Sequence, residues 1–80
     1  MREMLEESHP DLLFMDGYDN CIVGVCQQFG RPTVVAYDLN KVIQSLMEDG
    51  MDYSEAWEFF EFNQLGAWVG DETPVFVELY

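Results

Sequence analysis

The chain has 80 residues, and its sixteen Asp and Glu against three Lys and Arg give a formal net charge of −13. A hydrophobic fraction of 49% is too high for a disordered acidic tail and indicates one small folded domain. The charge argues against direct binding to nucleic acid or to an anionic membrane, because both normally need Lys and Arg to neutralise phosphates. The expected partners are basic proteins, cations or proteins whose normal ligand is a polyanion, and the alternative is a domain whose charge is simply solvated.

The N-terminal region reads as an extension to a single domain. Residues 1–15 are expected to be helical in part, from Met1 to Glu7, because His9-Pro10 ends a helix. Residues 16–80 are expected to form one small α+β domain that begins with the turn-forming stretch DGYDN.

The two cysteines predict unpaired thiols. Cys21 and Cys26 stand five positions apart in a β-rich stretch, so alternation points them to opposite faces of a strand. Unpaired thiols fit a reducing compartment, and the N-terminus is acidic where a signal peptide is basic. A cytoplasmic location is expected.

Two β-rich runs, CIVGVCQQF and TVVAYD, predict a hairpin that turns at Gly30-Arg31-Pro32. Simple alternation would place Ile22, Gly24 and Cys26 on one face of the first strand. The segment TPVFVELY predicts a third strand near the C-terminus, with Pro74 at its start.

Two helices are predicted between the second and third strands. Asp38 is the expected N-cap of the first, and Gly50 the expected left-handed residue after its end. Asp52 and Glu55 form a D-x-x-E capping box for the second helix. The expected fold is α+β, with a three-stranded, mainly antiparallel sheet, two amphipathic helices on one face, and the order β-β-α-α-β after a short N-terminal helix.

The stretch EAWEFFEFNQLGAWVG leaves two interpretations open for its aromatic residues. A helical wheel places Tyr53, Ala56, Trp57, Phe59, Phe60 and Ala67 on a core face, and glutamates on the opposite arc. Phe62 and Leu65 fall on the acidic arc. They either fold back against the domain near the helix end or form an exposed apolar anchor within an acidic rim.

Three residues near the end of this helix carry similar alternatives. Trp68 either covers the core or anchors a partner. The amides of Asn63 and Gln64 are expected to bond a terminal carbonyl or a neighbouring loop, and contact with a ligand is the alternative.

No pattern in the sequence indicates catalysis, a cofactor or a metal. His9 has no nearby nucleophile motif, and the glycines lack the spacing of a phosphate-binding loop. Asp16 and Asp19 do not continue into the ligand series of an EF-hand. We expect a protein that is not an enzyme, with no catalytic, cofactor-binding or metal-binding residues.

The ordered segments DGYDNCIVGV, VVAYDLNKVIQSL, DGMDYSEAWEFFEFNQLGAWVG and TPVFVE resemble a family of small acidic proteins, of unknown function, encoded in tailed bacteriophage genomes and prophages. The resemblance spans about Asp16 to Glu78 and is most specific in the part that runs into EFNQLGAWVG. It implies a phage origin and action in a bacterial cytoplasm, and it implies no catalytic residues.

The functional prediction is a non-enzymatic phage accessory protein that binds a host protein through an acidic surface. A host protein that normally binds nucleic acid is favoured, since the surface would then act as a DNA mimic and host inhibitor. The alternative is a structural or assembly protein that acts as a homodimer or larger homo-oligomer without a host target. The predicted interaction surface consists of Glu48, Asp49, Asp52, Glu55, Glu58, Glu61, Phe62, Leu65 and Trp68.

Overall fold

The computed structural model describes the backbone of residues 1–65 and 70–80 and the side chains of residues 1–63 and 70–80. It confirms the predicted α+β class. The elements in chain order are helix α1 (Arg2–Ser8), a 3-10 turn (Asp19–Cys21), strands β1 (Ile22–Gln28) and β2 (Arg31–Asp38), helices α2 (Leu39–Glu48) and α3 (Tyr53–Phe60), a π-helical turn (Glu61–Leu65) and strand β3 (Val75–Val77).

The sheet is mixed, with β2 in its centre. Strands β1 and β2 form the predicted antiparallel hairpin, but β3 runs parallel to β2, with Ala36 opposite Val75 and Asp38 opposite Val77. The prediction of a mainly antiparallel sheet was therefore wrong for the second pair. Parallel pairing needs a long crossover, which residues 39–74 supply before β3 pairs with the last three residues of β2.

The hairpin is tighter and less regular than the sequence pattern suggested. Gln28 pairs with Arg31, so the turn is Phe29-Gly30, and Gly30 adopts the left-handed φ of 75°. A shift in register between Ile22 and Gly24 breaks the alternation of β1. As a result Ile22 lies opposite Tyr37 and Val25 opposite Val35, so both face the core side of β2, contrary to simple alternation.

The core forms where one face of the sheet meets α2 and α3. Val35 and Tyr37 of β2 are fully buried there, together with Val42 of α2 and Ala56 of α3. A series of ring contacts extends this core from Trp57 through Phe60 and Phe76 to Tyr37, with centroid separations of 5.8, 4.8 and 6.0 Å. Both helices therefore bury one apolar stripe and expose the other side.

The N-terminal residues pack against this core. Helix α1 begins and ends one residue later than predicted, and His9 follows it as the C-terminal cap. Leu5, Leu12 and Phe14 contact the buried cluster. The backbone N–H of Met15 donates a hydrogen bond to the Tyr37 hydroxyl at 2.7 Å, which attaches this segment to the central strand.

Candidate interaction surface

Well-formed helix ends fix the position of α3 relative to α2. The Gly50 N–H donates to the Met47 carbonyl and the Met51 N–H to the Leu46 carbonyl, which is the hydrogen-bond pattern of a Schellman motif. Gly50 has a φ of 109°, in the left-handed region that the sequence predicted for this position. The motif ends α2, and four residues separate its end from the start of α3.

The predicted capping box at the start of α3 is confirmed. The Glu55 N–H donates to the Asp52 carboxylate at 2.8 Å, and the Asp52 N–H donates to the Glu55 carboxylate at 3.3 Å. Both carboxylates nevertheless lie on the protein surface. Each therefore stabilises the helix and also contributes negative charge to its outer side.

Helix α3 has two faces of opposite character. Ala56 and Phe60 are buried, and Trp57 packs beside them. The outer face carries Glu55 and Glu58, with Phe59 37% exposed and Phe62, in the following turn, 82% exposed. These outer residues follow the spacing i, i+3, i+4 and i+7, which forms one stripe on a helix.

A π-helical turn continues α3 from Glu61 to Leu65. The Asn63 side-chain amide donates a hydrogen bond to the Phe59 carbonyl at 3.1 Å. This confirms the prediction that the amide would bond a carbonyl near the helix end. The contact holds the turn that carries Phe62 against the last turn of α3.

The outer stripe forms a shallow, open groove of about 330 Å³, here named the α3 groove. Two carboxylates lie toward the start of the groove and two aromatic rings toward its end, so a bound group would meet negative charge and apolar surface together. Its lining residues are Met51, Glu55, Glu58, Phe59, Phe62 and Asn63.

The predicted acidic residues are all exposed, but they do not form one flat face. Asp52, Glu55, Glu58 and Glu61 recur every third residue, and each step turns about 300° around a helix. Their carboxylates consequently wind across about half of the circumference, and only Glu55 and Glu58 line the α3 groove.

Glu48 belongs to a different depression. It lies with Asn20, Gln44 and Ser45 beside Lys41, on the surface of α2. The Gln44 amide donates to its carboxylate at 3.5 Å. Glu48 is therefore the member of the predicted surface that has a cation nearby.

The sequence makes this half of the protein strongly negative. From Val42 to Tyr80 it contains nine Asp and Glu and no Lys, Arg or His. The chain has three Lys and Arg in all, and each lies before that point: Arg2, Arg31 and Lys41. Carboxylates therefore supply all of the side-chain charge in the part of the sequence that contains α3.

The outcome for the three predicted apolar anchors is mixed. Phe62 is exposed, so the structure favours the anchor interpretation over folding back against the domain at this residue. The side chain of Leu65 and the whole of Trp68 lie outside the described residues, as do the Gln64 amide and Ala67.

Phe59 was wrongly assigned to the core side, and Tyr53 is 60% exposed rather than buried. The helical wheel treats all apolar residues as inward, whereas only Ala56 and Phe60 of α3 are buried, so the buried arc of this helix is narrow. The i, i+3, i+4, i+7 spacing of two glutamates and two phenylalanines was the signal that could have identified this surface.

A second cluster, missed by the sequence reasoning, surrounds Arg2. Its guanidinium donates to the carboxylates of Glu6 and Asp19, each at 2.9 Å, and lies 4.6 Å from the centre of the Phe14 ring. The hydrogen bond to Asp19 raises the pKa of Arg2, and Glu6 acts in the same direction. The cluster ties α1 to the turn before β1.

Two buried groups have perturbed acidities with a structural cause. Burial raises the pKa of the Tyr37 hydroxyl, and the hydrogen bond from Met15 acts in the opposite direction. Burial, reinforced by the nearby Asp38 carboxylate, raises the pKa of the Cys21 thiol. Cys21 and Cys26 are both free thiols, as the sequence predicted.

Comparison with known proteins gave no family model, curated protein or solved structure that matches this chain. Within the described ranges, 1–65 and 70–80, three or more His, Cys, Asp or Glu side chains nowhere come together in an arrangement that could hold a metal ion. In the same part of the chain, no helix is long and apolar enough to span a membrane.

Proposed function

We propose that this chain is a non-enzymatic accessory protein of a bacteriophage that binds a basic host protein through the outer surface of α3. The observation that carries the proposal is the α3 groove, where exposed Phe59 and Phe62 lie beside the carboxylates of Glu55 and Glu58. The resemblance to small acidic phage proteins supports the phage origin, and with it an action in the bacterial cytoplasm. The partner that suits this surface is a host protein that normally binds nucleic acid.

Electrostatics explains why such a surface would be selective. A net charge of −13 on a small domain lowers its folding stability through self-repulsion. Solubility alone does not require so large a charge. A complementary positive surface would relieve that repulsion, accelerate encounter and exclude acidic partners. The exposed rings would then slow dissociation by burying apolar area.

The mimicry of nucleic acid proposed here is of charge rather than of phosphate geometry. Carboxylates at every third residue of a helix rise about 4.5 Å per step along the axis. Phosphates rise about 3.4 Å along each strand of a duplex. A partner with mobile Lys and Arg side chains could bind both the carboxylate spacing and the phosphate spacing. A partner whose basic side chains are held rigidly at the phosphate spacing could not.

The test is affinity capture from bacterial lysate at low and high salt, followed by mass spectrometry. We expect the wild type to retain a basic nucleic-acid-binding protein at low salt, and to release it when salt or duplex DNA is added. The triple variant Glu55→Gln/Glu58→Gln/Glu61→Gln should lose this protein. The matched variant Glu3→Gln/Glu7→Gln/Glu78→Gln removes the same charge elsewhere and should retain it. Capture of nothing but the protein itself would exclude the proposal.

A structural or assembly role is the second candidate, and exposed apolar residues favour it. Phe62 and the fully exposed Phe29 at the hairpin turn could meet in a contact between copies. The outer edge of β1 offers a further pairing site. Because the copies repel one another, salt should strengthen self-association while weakening capture of a basic partner. Sedimentation velocity across protein and salt concentrations separates the two roles.

A further inference from the structure

The α3 groove combines carboxylates with exposed aromatic rings, and an arginine side chain can interact with both at once. We propose that it binds an arginine of a basic protein segment, with the guanidinium stacked on Phe62 and paired with Glu55 and Glu58. This inference rests on the proposed function and specifies the chemistry that the partner must present. Phe59 and Met51 would contact the apolar residues beside that arginine.

The spacing of the residues permits this arrangement. Glu55, Glu58, Phe59 and Phe62 lie on one helical stripe, and neighbours on such a stripe have Cβ atoms about 5–6 Å apart. An exposed Phe62 ring therefore offers a face within reach of a carboxylate one turn away. A guanidinium placed on that face can donate to carboxylates at its edge.

The same combination is already occupied by an arginine elsewhere in this chain. The Arg2 guanidinium lies over the Phe14 ring and donates to two carboxylates, Glu6 and Asp19. The α3 groove likewise brings two carboxylates next to phenylalanine rings, although its rings are more exposed than Phe14. The Arg2 cluster is thus a precedent within this chain for an arginine bound by such groups.

The basic residues of this chain lie at other places. Arg2 is held in its own cluster, Lys41 lines the depression on α2, and Arg31 lines a depression beside Asp71 and Thr73. None of the six residues that line the α3 groove is basic. A second copy would bring the same charge of −13, so charge complementarity favours a foreign basic segment.

Arginine fits this groove better than lysine does. Its planar guanidinium stacks on an aromatic ring and still directs several N–H groups at carboxylates, and it is more weakly hydrated than an ammonium group. A lysine would form one strong point contact and lose the stacking. An apolar side chain alone would leave the negative charge of the two carboxylates unbalanced.

The test uses a short amphipathic peptide with arginines beside its apolar stripe, and the same peptide with every arginine replaced by lysine or by citrulline. Citrulline keeps the planar shape and removes the charge. Binding is measured by calorimetry at physiological ionic strength, where charges more than about 8 Å apart are largely screened. We expect the arginine peptide to bind most tightly, the lysine peptide less tightly and the citrulline peptide least.

Variants of the protein locate the binding site. Glu55→Gln/Glu58→Gln should weaken binding of the arginine peptide about fivefold to tenfold, and glutamine at position 55 can still accept the capping hydrogen bond. Phe62→Ser should weaken it by a similar factor and should reduce the preference for arginine over lysine. The control Glu3→Gln/Glu7→Gln should change the affinity less than about twofold.

Several outcomes would overturn the inference while leaving the proposed function standing. Equal affinity for the arginine and citrulline peptides, equal losses in the groove and control variants, or no saturable binding of the arginine peptide would each do so. So would capture of a basic host protein that persists in Glu55→Gln/Glu58→Gln but is lost when Glu61→Gln is added. Salt-strengthened self-association abolished by Phe62→Ser would overturn both, because a second copy would then occupy the groove.

Discussion

The Met15 backbone N–H and the Tyr37 hydroxyl form a 2.7 Å hydrogen bond between residues 22 positions apart. Tyr37 lies on the central strand and is fully buried. Met15 is the last residue of the N-terminal segment and packs against the same core. The bond therefore couples the order of residues 1–15 to the core.

Removing this hydroxyl should destabilise the protein. Tyr37→Phe keeps the ring but leaves the Met15 N–H without its acceptor, which costs about 1–3 kcal/mol in a buried setting. Urea unfolding followed by circular dichroism measures the free energy of unfolding. Tyr53→Phe is the control, since Tyr53 is 60% exposed, and it should have little effect. Equal losses in the two variants would contradict the role assigned to the Tyr37 bond.

Tyr37 should also make stability depend on alkaline pH. Burial raises its pKa in the folded state above the ordinary value of 10.0, so the folded protein holds this proton more tightly than the unfolded chain does. The stabilisation is complete below pH 10 and is lost as the pH rises through the folded-state pKa. Free energies of unfolding between pH 8 and pH 11 should fall at the alkaline end. The fall should be smaller in Tyr37→Phe, and parallel curves would rule out this cause.

Truncation of Phe60 should lower the free energy of unfolding strongly, whereas truncation of Phe62 should change it little. Phe60 is 1% exposed and packs on Phe76 at 4.8 Å, so Phe60→Ala should cost about 3–5 kcal/mol. Phe62 is 82% exposed, so Phe62→Ala should stay within about 0.5 kcal/mol of the wild type. Chemical denaturation of both variants checks this. A large loss at Phe62 would mean that its ring is a structural element rather than a free anchor.

Two substitutions at Asp52 should distinguish the hydrogen bond that its carboxylate accepts from the effect of its negative charge. Asp52→Ala removes the acceptor for the Glu55 N–H and should cost about 1 kcal/mol. Asp52→Asn keeps an oxygen acceptor and removes the charge, so its stability should stay near that of the wild type. Thermal melting of the two variants gives the comparison. If both melt at the same lowered temperature, charge near the helix N-terminus outweighs the cap.

The two thiols should differ in reactivity. Cys21 is fully buried and burial raises its pKa, whereas Cys26 is partly exposed on β1. Because the thiolate is the reactive form, iodoacetamide should modify Cys26 first in the folded protein. Mass spectrometry over time follows the two sites, and in denaturant both should react alike. Faster modification of Cys21 in the folded protein would contradict the placement of these residues.

The sequence correctly predicted those features of the fold that depend on residues close together in the chain. The caps at Asp38 and Asp52, the left-handed Gly50 and the hairpin depend on residues within a few positions of one another. The Asn63 contact with the Phe59 carbonyl is of the same kind. At a helix end, backbone N–H and C=O groups lack partners within the helix, and nearby residues supply the missing hydrogen bonds. Such features can therefore be predicted from a short stretch of sequence.

Errors arose where distant segments meet. The parallel pairing of β3 with β2 depends on how residues 39–74 return across the sheet, which no local pattern encodes. The exposure of Phe59 depends on how much of α3 its neighbours cover. The Arg2 cluster joins residues up to 17 positions apart in the chain, across a turn that had to be built first.

The sequence by itself determined the α+β class, the helix ends and the strongly negative charge, because each follows from composition or from contacts between near neighbours. The tertiary structure alone decided that Glu55 and Glu58 share a groove with two exposed rings while Glu48 lies beside Lys41 on another surface. Which side chains become neighbours on a surface is set by the angle at which each helix packs on the sheet. That angle results from many weak contacts summed over the whole core.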